Sequence, residues 1–300
     1  MTPVLILGGT TYDHIVYLDQ FPQPIPQTIH QARFQETTGS TGSGKALCLH
    51  KLEVTSSLYA ILGDDLYGKR IIEHLNGSGV DFTYDIDPAG TERHFNLMNA
   101  EGNRISMFIT QSSEHPPFNR SLIKEKLDQS GMLVLNIIAY CKNFISLLEG
   151  YTKPIWTDLH DYTDMNPYHE PFIEAADTIF LSSDNLPDYK VTMQQLISRG
   201  KRLVVCTHGK GGSTALTPEG EWVHEPALTH FRLVDSNGAG DNYFAGFLYA
   251  SLQGKSIRDC MRYGTLCGGL CITSSELVAE ELCGKLLEEL YETFFSVLLR

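Results

Sequence analysis

An α/β architecture on a mostly parallel sheet follows from three features of this 300-residue sequence. Short apolar runs alternate with helix-patterned segments from Leu122 onward. The chain opens on an apolar run that stops in a Gly-Gly turn. Asp235-Ser-Asn-Gly-Ala-Gly-Asp241 sets a glycine turn at the head of a segment with helical apolar spacing. Strands alternating with helices of that length build parallel sheets through right-handed crossovers.

Taken in order, Val4–Leu7 reads as a buried strand and Gly8-Gly9 as the turn that ends it. Asp13 follows at the carboxyl end of that strand, where open α/β sheets gather their ligands. A Pro-rich passage, Phe21–Pro26, precedes an alternating stretch at Thr28–Phe34 that looks peripheral. Gly39-Ser-Thr-Gly-Ser-Gly44-Lys45 matches the spacing of a phosphate-cradling P-loop, but Ala46 stands where a metal-binding hydroxyl belongs. The preceding Gln35–Thr38 is polar rather than a buried strand, so a P-loop is not expected; a helix is expected from Lys45 to Leu52.

Ser57–Leu62 reads as another buried strand, with Asp64 or Asp65 capping a helix through Leu75 that Asn76–Gly79 ends. Thr91–Asn99 and Asn103–Ile109 flank Ala100-Glu-Gly102 as a hairpin with one exposed face. Met132–Ile138, Pro154–Leu159, Thr178–Leu181 and Leu203–Cys206 are expected as parallel strands. Asp158, His160, Asp161, His169 and Glu170 contain ligand-type side chains, but no spacing puts them on one face, so no metal site is expected. Thr207–Gly212 is a second glycine-rich turn after a strand, suited to a phosphate or an adenine.

Phe231–Val234 reads as a short strand feeding the Asp235–Asp241 turn. Backbone N–H groups at the following helix start carry the positive end of the helix dipole and suit an anion, with Asp241 beside it as a base. The same residues also fit a capping Asp behind a flexible turn. Gly254 should end that helix, Ser256–Asp259 should start another, and Ala279–Leu298 reads as a long amphipathic helix.

Composition narrows the function. A formal charge of −13 argues against a nucleic-acid surface but leaves room for a phosphate at a helix N-terminus. Seven cysteines, scattered and without a Cys-x-x-Cys pair, fit reduced thiols. The N-terminus lacks a signal-peptide pattern and no apolar run is long enough to span a bilayer, so a cytoplasmic protein is expected, with no membrane partner.

Over nearly its full length the chain resembles the PfkB family of carbohydrate kinases. The resemblance rests on Asp235–Asp241 with its helix, on Leu62–Gly68 running to Gly79-Val-Asp81, and on Thr207-x-Gly-x-x-Gly212. It implies a single ribokinase-like domain over 1–300, a three-layer α/β core with a β lid drawn from about 12–36 and 90–112. It implies Asp241 as catalytic base and the Gly238, Ala239 and Gly240 N–H groups as an anion hole for the phosphoryl group of ATP. Asp13, Gly39, Ser40, Gly44 and Lys45 fall at the sugar site. Ser182, Thr207, Gly209, Gly212 and Thr265 fall on the ATP side. Mg²⁺ is expected with ATP.

Several positions depart from the family pattern. Ser236 and Asn237 replace signature residues, and Gly44 stands where the family has a side-chain amide. Ser182-Ser-Asp-Asn185 lacks the glutamate of the family's Asn-x-x-Glu. Glu276 occupies a position tied to monovalent-cation binding, which leaves potassium activation open. The leading expectation is phosphorylation of a hydroxymethyl group on a small sugar or derivative. The alternatives are a nucleoside kinase, with Tyr12, Phe34, Phe95 and Phe108 as cage candidates, and a non-catalytic sugar or nucleotide binder. Exposed lid strands are expected to pair two chains into a homodimer.

Overall fold

Strand β1 (Val4–Leu7) is buried on both faces and splits its side chains between two hydrophobic layers. Val4 and Ile6 point into one core cluster, Leu5 and Leu7 into the other, as the two-residue period of a strand requires. The computed structural model describes residues 2–163 and 166–296. After β1 come β2 (Thr11–Tyr17), β3 (Arg33–Gly39), α1 (Thr41–Lys51), β4 (Ser56–Leu62), α2 (Leu66–Gly77) and β5 (Asp81–Ile86). Then follow β6 (Arg93–Met98), β7 (Arg104–Thr110), α3 (Arg120–Gln129), β8 (Met132–Leu135), α4 (Lys142–Ile145), β9 (Ile155–Asp158), α5 (Glu170–Ala175) and β10 (Thr178–Ser182). The chain continues with α6 (Tyr189–Ser198), β11 (Leu203–Thr207), β12 (Ser213–Leu216), β13 (Trp222–Glu225), α7 (Ala239–Leu252), α8 (Ile257–Cys271) and α9 (Gly284–Tyr291).

The main sheet has nine strands in the order β13-β12-β11-β10-β9-β8-β1-β4-β5, parallel from β5 to β11 and antiparallel at β12 and β13. Helices α1, α7, α8 and α9 cover one face, and α3, α4, α5 and α6 cover the other. A separate four-stranded sheet, β3-β2-β6-β7, forms a lid.

That lid has two unlike faces. Register places Thr37, Asp13, His94 and Phe108 in one row across the sheet, so these residues share a face with Asn96, Ser106 and Arg104. The opposite face carries Phe34, Phe95, Leu97, Ile105, Met107 and Ile109.

Several expectations are corrected. Phe231–Val234 forms no strand, because the Val234 and Asp235 N–H groups both turn to the Ile272 carbonyl rather than to a sheet edge. Regular β3 begins at Arg33, not Thr28. Helix α1 starts at Thr41 rather than Lys45, since Gly42 and Gly44 continue the helix instead of ending a loop. The C-terminal helix is shorter than Ala279–Leu298: Cys283 caps α9, which passes into a wide π-type turn at Glu292–Ser296, and Leu298 lies outside the described residues. Strands β5, β12 and β13 have no counterpart in the sequence reading. No helix among the described residues is long and apolar enough to cross a membrane.

Phe244 ties α7 to the sheet: fully buried, it packs 4.5 Å from Phe180 and edge-on to Trp156. Phe244→Ala is expected to lower stability by about 3–5 kcal/mol through the cavity it leaves. Urea unfolding measures this, and an unchanged midpoint would contradict the packing.

Candidate active site

Two carboxylates meet one turn. A Cβ on Gly39 would fall 2.2 Å from the Asp13 carboxyl carbon, and a Cβ on Gly44 would fall 3.1 Å from Asp241 Oδ2. The Gly39–Lys45 segment, whose glycine spacing only imitates a P-loop, is therefore the floor between Asp13 and Asp241. Its first helical turn sits on the β1–β2 turn, with the Ser43 N–H donating to the Gly9 carbonyl. Ser40 holds a φ of 73° and makes no side-chain cap, a conformation that suits glycine and costs a serine roughly 1–3 kcal/mol.

Lys45 corrects the sequence reading. Rather than projecting toward a substrate, its side chain is 0 % exposed and pairs with Asp241 Oδ1 at 2.5 Å and Asp158 Oδ2 at 3.1 Å. The Thr41 hydroxyl donates to the same Asp241 Oδ1 at 2.5 Å and itself accepts from Lys45 Nζ. Burial pulls the ammonium's pKa down, but Asp241 and Asp158 outweigh it and keep Lys45 charged above its ordinary value. Burial likewise pushes Asp158 up, and His160 and Lys45 more than reverse it. Asp158, His160 and Asp241 bring ligand-type atoms within 4.8 Å of one another. The Lys45 ammonium, a single positive charge, already lies between the two carboxylates there. Of the remaining ligand-type residues near Asp158 in sequence, Glu170 pairs with Arg199 and His169 packs against the Tyr162 and Tyr168 rings.

Asp241 lies in the first turn of α7, behind Gly238, whose φ of 81° makes the tight entry that a side chain would resist. The Ala239 N–H is already bonded to the Ser236 carbonyl at 3.2 Å, so it is not a free donor. The space beside Gly240 is open, with no atom within 4 Å of a built Cβ. The lid holds this turn from above. Tyr17 donates to Asp235 Oδ2 at 2.5 Å, Ser236 Oγ to the Gly102 carbonyl at 2.7 Å, and Arg104 to Asn237 Oδ1 at 2.9 Å.

Asp13 is 3 % exposed and accepts from Thr11 Oγ1 at 2.7 Å and Asn96 Nδ2 at 3.1 Å, with His94 Nδ1 at 3.7 Å. Burial raises its pKa more than His94, Thr11, Arg104 and Asn96 lower it. Nearby, Thr10, Ser43 and Asn136 are buried with side-chain polar atoms that lack hydrogen-bond partners among the described residues. They stand at the ends of β1 and β8 and the start of α1, and such orphans ask for a ligand.

On the other side, Thr207–Gly212 closes on itself, with the His208 N–H donating to the Gly212 carbonyl and the Gly212 N–H to the Gly209 carbonyl. His208 is fixed by Ser183 at 3.0 Å and Thr214 at 2.9 Å, and burial lowers its pKa so that the ring stays neutral. Tyr243, two residues past Asp241, donates to Ser213 Oγ at 2.8 Å and joins this turn to α7. The Ser182 N–H donates to the His160 carbonyl, while Thr265 spends its hydroxyl on Met261 inside α8. Of the four aromatic cage candidates, only Phe108 shares the Asp13 face, stacked on His94 at 4.0 Å; Tyr12, Phe34 and Phe95 lie on the other face of the lid.

Residues 1–136 and 172–281 match the profile described as pfkB family carbohydrate kinase. This chain belongs to that family. Acarbose 7(IV)-phosphotransferase of an Actinoplanes species is 32 % identical over 276 residues, 91 % of this chain and 92 % of that protein. A nucleoside kinase of Methanothermobacter thermautotrophicus is 27 % identical over 275 residues, 87 % and 86 % of the two chains. The structure of a microbiome-derived acarbose kinase superposes with a TM-score of 0.86 at 27 % identity, covering 96 % of this chain and 98 % of that one. An Arabidopsis thaliana ribokinase, at 19 % identity, shares the ribokinase-like fold with a TM-score of 0.79 and coverage of 96 % and 98 %.

The sequence reading missed Thr41, Asn96, His94, Arg104 and Asn136, and weighed Asp158 only as a metal ligand. Thr41 and Lys45 stand at i, i+4 in α1, a spacing that puts them on one helix face and was legible in the sequence. The lid residues carry no local signal, because only cross-strand register puts them beside Asp13.

Asp13 yields a pH test. A carboxyl raised by burial costs stability above its folded pKa, and the cost disappears as pH falls toward the ordinary carboxylate range. Asp13→Asn is therefore expected to raise stability at neutral pH, with the gain shrinking toward pH 4. Denaturation midpoints across pH test this; a neutral-pH loss of stability would contradict the buried charge.

Proposed function

We propose that this PfkB-family chain transfers the γ-phosphoryl group of ATP to a hydroxymethyl group of a sugar or sugar derivative. The observation that carries the reading is Asp241: Oδ1 is held by Thr41 and Lys45, while the side chain keeps 13 % exposure and Oδ2 lies beside the Gly39–Gly44 floor. Oδ2 takes the proton as the substrate oxygen attacks the phosphorus and ADP leaves. The helix N-terminus at Gly240 supplies donors for charge on the transferring group, and the Thr207–Gly212 turn receives the nucleotide. Asp158 and Asp241 are both committed to Lys45, and Mg²⁺ is a cation that keeps waters and phosphate oxygens as ligands. It arrives with ATP and neutralises phosphate charge.

A hydroxyl-rich substrate fits the polar lid face of Asp13, His94, Asn96, Arg104 and Ser106, with Phe108 as a flat apolar wall. The two acarbose-phosphorylating relatives favour a substrate larger than a pentose. A nucleoside is the second reading, supported by the nucleoside kinase relative but weakened because three of four cage aromatics face away from Asp13. Seven free cysteines, six of them buried, suit the reducing cytoplasm.

ADP release with MgATP across acarbose, maltose, ribose, fructose, adenosine and inosine decides the class. Acarbose or maltose is expected to turn over fastest, and preference for adenosine or inosine would install the nucleoside reading. Asp241→Asn is expected to lower turnover by about 10²–10⁴-fold; full activity would remove Asp241 as base. Binding without ADP from any of the six would make the protein a non-catalytic binder.

The lid also suggests how two copies associate. Phe34 (56 %), Ile105 (43 %), Met107 (44 %) and Ile109 (49 %) leave the outward lid face both apolar and exposed. Face-to-face packing of two lids covers this surface better than edge pairing. Light scattering is expected to return a dimer that Met107→Asp converts to monomer; a monomeric unsubstituted chain would sink the proposal.

A further inference from the structure

Asp241 does not stand alone: Thr41 Oγ1 and Lys45 Nζ both engage its Oδ1. One ammonium, Lys45 Nζ, lies between Asp241 Oδ1 at 2.5 Å and Asp158 Oδ2 at 3.1 Å, 4.8 Å above the Phe244 ring, with its side chain fully buried. Asp158 is fixed in turn, its Oδ1 accepting the His160 N–H at 3.0 Å. A lysine placed directly on a general base opposes proton uptake by that base, because it favours the charged carboxylate. A second carboxylate sharing the ammonium relieves part of that effect.

We infer that Lys45 and Asp158 are positioning residues for the phosphoryl transfer, Lys45 fixing which Asp241 oxygen faces the substrate and Asp158 sharing the ammonium's charge with Asp241. This inference rests on the reading of Asp241 as base. Thr41 and Lys45 saturate Oδ1 and leave Oδ2 as the proton acceptor. Lys45 is fully buried and engages Asp241 directly, and Asp158 reaches Asp241 through the shared ammonium, so both act through Asp241.

The other charged or titratable groups around Asp241 do not substitute for this pair. From α1, Cys48 faces it as a thiol that burial keeps well above its ordinary pKa, and from α8 Cys271 is raised for the same reason. Asp235, in the turn before α7, is engaged by the Tyr17 hydroxyl and the Asn237 N–H. His160 lies at the end of β9 with its ring 3.6 Å from Asp158.

Charge sharing makes the two substitutions act in opposite directions. Lys45→Met removes the cation and is expected to move the acid limb of the kcat–pH profile upward by about one unit, a tenfold loss of rate below it. Asp158→Asn leaves the whole ammonium to Asp241 and is expected to move the same limb downward, with kcat at the optimum reduced about tenfold. KM for ATP should change less than twofold in both. Lys45→Arg, which retains the charge, should keep the limb within half a unit of the unsubstituted chain.

The assay uses the full chain, MgATP and whichever of the six acceptors named above turns over fastest. Should Lys45→Met fail to fold with two unpaired carboxylates, Lys45→Met/Asp158→Asn removes one of them, and its upward shift relative to Asp158→Asn isolates Lys45. Limbs that stay in place, or move the same way, would overturn the inference while an inactive Asp241→Asn leaves the base assignment standing. An active Asp241→Asn, or no turnover of any acceptor by the unsubstituted chain, removes the base reading and this inference with it.

Discussion

A buried ammonium shared by two carboxylates is the constraint around which the site is arranged. Lys45 comes from α1, Asp158 from the end of β9 and Asp241 from the start of α7. Three separated segments therefore meet at one charge. An unpaired ion in such a place is costly, and removing one partner from a buried pair costs roughly 3–5 kcal/mol. The same contacts that hold α1, β9 and α7 in place orient the Asp241 carboxylate. Stability and chemistry are linked here by electrostatics rather than by proximity alone.

The lid adds the second half of the site by a different principle. Strand alternation divides it into a polar face over Asp13 and an apolar face turned outward. Asp13 belongs to the lid sheet, yet it packs on Gly39 at the start of the floor that reaches Asp241. The hairpin tip touches the Asp235–Asp241 turn through Gly102 and Arg104. The Asp13 cluster and the Asp235–Asp241 turn thus share contacts across the gap between sheet and lid. The nine-stranded sheet supplies the rigid base, and the Thr207–Gly212 turn is tied to α7 through Tyr243 and Ser213.

Much of this was legible from residue order. Apolar runs located β1, β4 and β8 to β11, because buried parallel strands need continuous hydrophobicity. Glycines located the turn at 207–212 and the tight entry to α7 at Gly238, whereas Gly42 and Gly44 fall inside α1. Weakly patterned strands escaped: β5 carries a half-exposed pattern, while β12 and β13 are four-residue antiparallel additions at the sheet edge. The strand expected at Phe231–Val234 failed because apolar content alone does not supply a neighbouring sheet edge. Lys45 was assigned to the substrate site only through the family resemblance of Gly39–Lys45, which carries no information on where that side chain is buried.

Local pattern by itself determined the fold class, the glycine turns and the family, since these depend on periodicity, turn chemistry and motif order along the chain. Tertiary structure alone decided that Lys45 faces Asp241 and Asp158, that Asp13 gathers His94, Asn96 and Arg104, and that three aromatic candidates face away from the site. Burial and cross-strand register govern those choices. Both arise from contacts between residues far apart in sequence, where no local spacing rule reaches.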